Sequence, residues 1–218
     1  SLRDAVPEFT FYGDPPSFAQ VDPTDLDAAL IAGAATLYCG SIALLYPAAR
    51  ELAAAAWATP GPLRVLDPNV RPRLLRDREG LRRTIEEFAS TADLVKLSEP
   101  DARVLFDLDP VAAARHLRAA GARAVVVTLG PDGAYADTDG GPVTVPAPPV
   151  QAIDTTGAGD ACVAALMYGL LTRGWPTDTG AWQDLVGFAT TAASLACEVP
   201  GGATAMPALD AIQARRAA

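Results

Sequence analysis

The stretch Ala124-Val125-Val126-Val127-Thr128 constrains this chain more than any other. It is short, apolar and β-branched. Gly121 stops the helical pattern before it, and Gly130 follows shortly after. A strand with no polar face has to be covered on both sides, as strands of parallel α/β sheets are. The rest of the chain alternates strand and helix patterns. Strands are expected at 36–39, 64–66, 94–97 and 124–128. A hairpin is expected from 133–137 and 143–145 around Asp139-Gly140-Gly141. Helices are expected at 47–57, 78–90, 110–120, 159–173, 179–198 and 208–216. Asp22-Pro23-Thr24-Asp25 reads as a helix start, with Asp as cap and Pro in the first turn. A weak alternation at 9–12 precedes the turn-rich Gly13-Asp14-Pro15-Pro16. The expected fold class is α/β, with a mostly parallel central sheet covered by helices on both faces. A chain of 218 residues can bury one sizeable core and is read as a single domain over 1–218.

Charge and composition remove several function classes. Acidic residues number 26 against 17 basic ones, a formal charge of -9, so a nucleic acid backbone would be repelled. No stretch is long and apolar enough to span a bilayer, so no membrane partner is expected. Cys39, Cys162 and Cys197 are scattered and odd in number, which indicates neither a disulfide framework nor a zinc site and suits a reducing cytoplasm. His116 is the only histidine and reads as a solvated helix residue, so Ser/His chemistry has little support. Trp57, Trp175 and Trp182 read as packing or interface residues. No Walker-type G-x-x-x-x-G-K-[ST] occurs, which disfavours a P-loop nucleotide fold.

Chemistry concentrates in Asp154-Thr155-Thr156-Gly157-Ala158-Gly159-Asp160, followed at once by the apolar helical run from Ala161. Glycines let a backbone approach a ligand closely. A helix start leaves its first amides without intrahelical partners, and the helix dipole favours an anion there. Asp160 would stand beside that anion, where a general base for phosphoryl transfer is needed. The plain alternative is a Gly-rich loop with an ordinary acid in the first helical turn.

That string resembles the second signature of the PfkB family of carbohydrate kinases. Further stretches resemble the family in order and spacing: Asp67-Pro68-Asn69-Val70-Arg71-Pro72, Val95-Lys96-Leu97-Ser98-Glu99-Pro100-Asp101, Val127-Thr128-Leu129-Gly130-Pro131-Asp132-Gly133-Ala134, and residues 188–207 with Pro200-Gly201-Gly202-Ala203. The similarity is greatest to the fructokinase and 2-keto-3-deoxygluconate kinase branches. It implies a ribokinase-like three-layer sandwich. It also implies ATP-dependent phosphorylation of a small-molecule sugar hydroxyl, most like that of a fructokinase. A 2-keto-3-deoxygluconate kinase is the alternative within the class, and a non-catalytic sugar- or nucleotide-binding paralogue the alternative outside it.

The resemblance assigns residues as follows. Asp160 would be the catalytic base, and Gly157, Ala158 and Gly159 the anion hole. Thr128, Gly130 and Gly133 would lie beside the ATP phosphates and ribose. Thr190 would lie against adenine, although helix packing is the plainer reading. Asn69 and Arg71 would be polar groups near substrate and phosphates, Arg71 being otherwise a surface arginine. Asp101, with Glu99 nearby, would order Mg²⁺ through water. Asp154 and Thr156 would help hold a monovalent cation such as K⁺, with carbonyls near Pro200 and Gly202; a simple Asx turn is the alternative. Ser98 and Asp101 depart from the family's Asn and Glu; aspartate keeps the charge but is shorter by a methylene. The family's early Gly-Gly and N-x-A segments are not found, so a segment preceding Ser1 is expected. The 9–12 stretch resembles a lid strand, through which a homodimer would form.

Overall fold

The computed structural model describes residues 2–3, 6–7 and 16–217. The expected lid strand at 9–12 lies outside the described residues, and so does the dimer surface built on it. Near the start, β1 (Leu2–Arg3) and β2 (Val6–Pro7) form a short antiparallel pair. The chain divides into two compact units, one of Phe11–Val127 and one of Ser1–Thr10 with Thr128–Ala218.

In the Phe11–Val127 unit, strands and helices alternate: α1 (Ala28–Gly33), β3 (Thr36–Gly40), α2 (Ser41–Leu44), α3 (Pro47–Ala58), β4 (Leu63–Asp67), α4 (Arg78–Ala89), β5 (Leu94–Ser98), α5 (Glu99–Phe106), α6 (Pro110–Ala120) and β6 (Ala124–Thr128). Aspartate caps set several helix starts. Asp27 accepts from the amides of Ala29 and Leu30, Asp77 from Gly80, and Asp109 from Ala112. The helix expected at Asp22 begins later. Asp22 spends its carboxylate on the amide and hydroxyl of Thr24, which gives only a 3₁₀ turn over Pro23–Asp25, and the α-helix waits for Asp27. Helix α4 buries Leu81, Ile85, Phe88 and Ala89 at helical spacing, and the Phe88 ring lies 5.2 Å from that of Trp57. Helices α2 and α5 were not expected.

The other unit holds β7 (Ala134–Asp137), β8 (Val143–Val145), α7 (Ala158–Arg173), α8 (Thr179–Ala196) and α9 (Leu209–Ala217). Its core includes Leu166 and Leu170 of α7 with Trp182, Phe188 and Ala189 of α8.

The six-stranded sheet has the order β3-β4-β5-β6-β7-β8. Strands β3, β4 and β5 are parallel, and β7 and β8 make the expected antiparallel hairpin. Ala124, Val125, Val126 and Val127 are fully buried, as a strand with two apolar faces requires. Among the described residues no helix is long and apolar enough to cross a membrane.

Candidate active site

The end of β4 is built on buried charge. Asp67 is fully buried and pairs with Lys96 of β5 at 3.3 Å; the Tyr38 hydroxyl lies 3.4 Å from the same oxygen. Beyond it the chain turns sharply at Asn69, whose φ of 33° is unusual for a residue with a side chain. The Arg71 guanidinium bonds back to the Asn69 side-chain oxygen, so the structure brings these two expected site residues into direct contact. Asp101 holds the same turn from beneath. One of its oxygens accepts from the Val70 amide at 2.7 Å. The other accepts from the amide of Ser98 at 2.9 Å and from its hydroxyl at 2.5 Å.

Ser98 and Asp101 together form a reciprocal capping box at the start of α5. The signal for this helix, Ser98-x-x-Asp101 with Pro100 in the first turn, is present in the sequence. Glu99 is partly exposed and pairs with Arg103 one turn later at 2.9 Å. Asp101 therefore has a structural function that the sequence reading did not foresee.

After β6, the turn through Leu129–Gly133 closes with the Leu129 amide donating to the Gly133 carbonyl at 2.7 Å. Gly133 has φ of 98°, and a Cβ there would stand 2.0 Å from the Val145 carbonyl oxygen, so no other residue fits this turn unshifted. Thr190 is buried in α8, and its hydroxyl donates to the Gly187 carbonyl of its own helix at 3.1 Å.

The Asp154–Asp160 segment is anchored from behind and open in front. The amides of Ile153 and Asp154 both donate to the Cys197 carbonyl, at 2.8 and 3.3 Å. Asp154 is 5% exposed; one oxygen accepts from the Thr156 amide at 2.9 Å and hydroxyl at 2.6 Å, and the other from the Gly201 amide at 2.9 Å. The Thr156 hydroxyl, followed by the Gly201 and Thr156 amides, lowers the carboxyl pKa of Asp154. The Asx-turn geometry is thus present. The carboxylate, the Thr156 hydroxyl and nearby carbonyls are hard oxygen donors, which suits an alkali cation in chemistry.

Gly157 stands at the start of α7 with φ of 80°, and no side chain caps the helix. Gly157, Ala158 and Gly159 are half-buried, and Asp160 is exposed. Among the described residues the Asp160 carboxylate has no hydrogen-bond or ion-pair partner. A free carboxylate beside an open helix start can take a proton from a neighbouring hydroxyl while the amides bind an anion. Met206 went unremarked in the sequence. A Cβ added to Gly157 would lie 2.8 Å from the Met206 methyl and 3.3 Å from the Gly202 Cα.

Among the described residues no group of three or more His, Cys, Asp or Glu side chains gathers as a metal site.

The chain matches the profile of the pfkB family carbohydrate kinases over residues 3–209. It is 34% identical over 210 residues to a fructokinase of Klebsiella pneumoniae, covering 94% of this chain and 68% of that protein. It spans only about half the length of several other curated fructokinases that it matches. Among solved structures it superposes on aminoimidazole riboside kinase from Salmonella enterica, complexed with aminoimidazole riboside and an ATP analogue, with a TM-score of 0.83 at 27% identity, covering 96% of this chain and 71% of that one. Fructokinase from Vibrio cholerae O395, bound to fructose, ADP and calcium ion, gives a TM-score of 0.76 at 31% identity, over 87% of this chain and 64% of that one. An α/β fold of mostly parallel strands, the open start of α7 and a family match across nearly the whole length lead to one conclusion: the chain belongs to the pfkB family of carbohydrate kinases.

Proposed function

We propose that this protein transfers the γ-phosphoryl group of ATP to a hydroxyl of fructose or a close ketose. The observation that carries this reading is the start of α7, where amides without a side-chain cap and, among the described residues, a carboxylate without a partner sit within one turn. The Asp160 carboxylate takes the hydroxyl proton as the sugar oxygen bonds to the γ-phosphorus. The bond from that phosphorus to the ADP oxygen breaks, and the amides of residues 157–159 stabilise the charge on the transferring group. Thr128, Gly130 and Gly133 line the phosphate and ribose side, and Thr190 supports the adenine side from within its helix. Asn69 holds the Arg71 guanidinium toward substrate and phosphates.

Mg²⁺, when bound, would neutralise phosphate charge, with Glu99 and Asp101 as the nearest acids of the family's motif. K⁺ would sit on the oxygens of Asp154 and Thr156. The two compact units would work together as one kinase domain. The free thiols of Cys39, Cys162 and Cys197 suit a reducing cytoplasm, and burial pushes the Cys39 thiol up to about 11, which keeps it protonated.

The test is turnover with Mg²⁺·ATP and a panel of fructose, ribose, adenosine and 2-keto-3-deoxygluconate. Fructose is expected to give the highest kcat/KM. Preference for another member of the panel would reassign the acceptor, and no ADP release with any of them would end the kinase reading.

A further inference from the structure

We infer that Asp154 is a positioning residue, whose carboxylate pins the Gly201 loop onto the turn that opens α7 and so fixes where the first amides of that helix point. The inference rests on the phosphoryl-transfer role proposed for that turn. Three donors converge on this one buried side chain: the Thr156 amide and hydroxyl on one oxygen, and the Gly201 amide on the other. All three belong to backbone or hydroxyl groups of the two loops that meet here.

Those loops touch where neither has a side chain to spare. A Cβ on Gly157 would be 3.3 Å from the Gly202 Cα, and a Cβ on Gly202 would be 3.4 Å from the Thr156 methyl. The Met206 methyl packs against Gly157 and the Cys197 carbonyl anchors Ile153 and Asp154, but the side-chain hydrogen bonds that join the Gly201 loop to the turn itself are those of Asp154. Only a carboxylate accepts at both ends. An asparagine presents an N–H at one end, so it sets donor against donor with either Thr156 or Gly201. This explains an ionised aspartate at a buried position that makes no ion pair among the described residues. It also gives the Gly201 loop a part in catalysis without contact to substrate.

The experiment follows the amide exchange of Gly201, Gly159 and Asp160 by NMR, together with ADP affinity. Both are measured with K⁺ and with tetramethylammonium as the sole monovalent cation. In Asp154→Asn the Gly201 amide is expected to exchange about tenfold faster and ADP to bind about tenfold more weakly in both buffers, the size of one hydrogen bond to a charged group. Where sugar turnover is measurable, kcat should fall with the sugar KM unchanged. Thr156→Val should give a smaller loss and Thr156→Ser should restore it; this pair decides the matter if Asp154→Asn fails to fold. Exchange and ADP affinity within about twofold of the parent would overturn the inference. So would a loss seen only in K⁺, which would make Asp154 a cation ligand alone. If the unaltered chain phosphorylates no sugar, the kinase reading fails, but the exchange and ADP readouts still decide the role of Asp154.

Discussion

Helix α5 starts at Ser98-Glu99-Pro100-Asp101 and helix α7 at Gly157-Ala158-Gly159-Asp160, each with an aspartate three residues after its cap. In α5 the aspartate folds back. It bonds to the Ser98 amide and hydroxyl, while the serine hydroxyl accepts from the Asp101 amide at 3.2 Å. In α7 the cap is a glycine in the left-handed region with no hydroxyl to share, and the aspartate is exposed and makes no bond back to the cap. The same acid at the same offset is therefore a structural clasp in one helix and, among the described residues, an exposed carboxylate without a partner in the other. The residue at the cap position decides which. A side-chain cap satisfies the orphan amides internally, whereas a glycine leaves them for a ligand.

The largest effect that would break this comparison is on rate. Asp160→Asn should lower sugar-dependent ATP turnover by about two to four powers of ten with ADP affinity nearly unchanged. Steady-state kinetics with nucleotide titration measures both, and turnover within a few-fold of the parent would put Asp160 in the same structural class as Asp101.

Next comes the cap itself, tested at both helices. Gly157→Ala forces a side chain into left-handed backbone against Met206 and should destabilise the protein by roughly 1–3 kcal/mol. It should also weaken ADP binding, because the helix start has to move. Ser98→Ala removes an ordinary cap and should cost about 1 kcal/mol. Chemical denaturation and ADP titration of the two variants sharpen the contrast. A Gly157→Ala protein with unaltered stability and ADP affinity would show that the glycine is not required at the open start.

The smallest effect is expected in acid. Hydrogen bonds hold the Asp154 carboxyl below its ordinary value, so its folded pKa lies under its unfolded pKa of about 3.9. Its stabilising contribution is then complete above about pH 4 and disappears as pH falls through the folded value. The melting-temperature gap between the parent and Asp154→Asn should narrow below about pH 4. A gap that stays constant as the pH falls past that point would mean the three donors do not favour the charged form.

Much of the fold was legible because its signals are local. The all-apolar 124–128 run, Pro at the first turn of 47–57 and 110–120, and the Gly-rich hairpin at Asp139-Gly140-Gly141 all produced elements within a residue or two of expectation. Where a short polar side chain had two local uses, the reading failed. Asp22 could begin a helix or fold onto Thr24, and it took the second course. The Ser98-x-x-Asp101 cap, which starts a helix that was not expected, is a second such case, and it leaves the metal role of Asp101 untouched.

The sequence by itself determined the alternating order of strands and helices, the family and the Gly157–Asp160 motif, since these depend on residue type and spacing along the chain. Tertiary structure decided what each carboxylate is for. Asp67 meets Lys96 across 29 residues, Asp101 meets Val70 across 31, and Asp154 meets Gly201 across 47. A carboxylate's role depends on which donors face it, and donors that far along the chain are brought to it only when the sheet and its loops close.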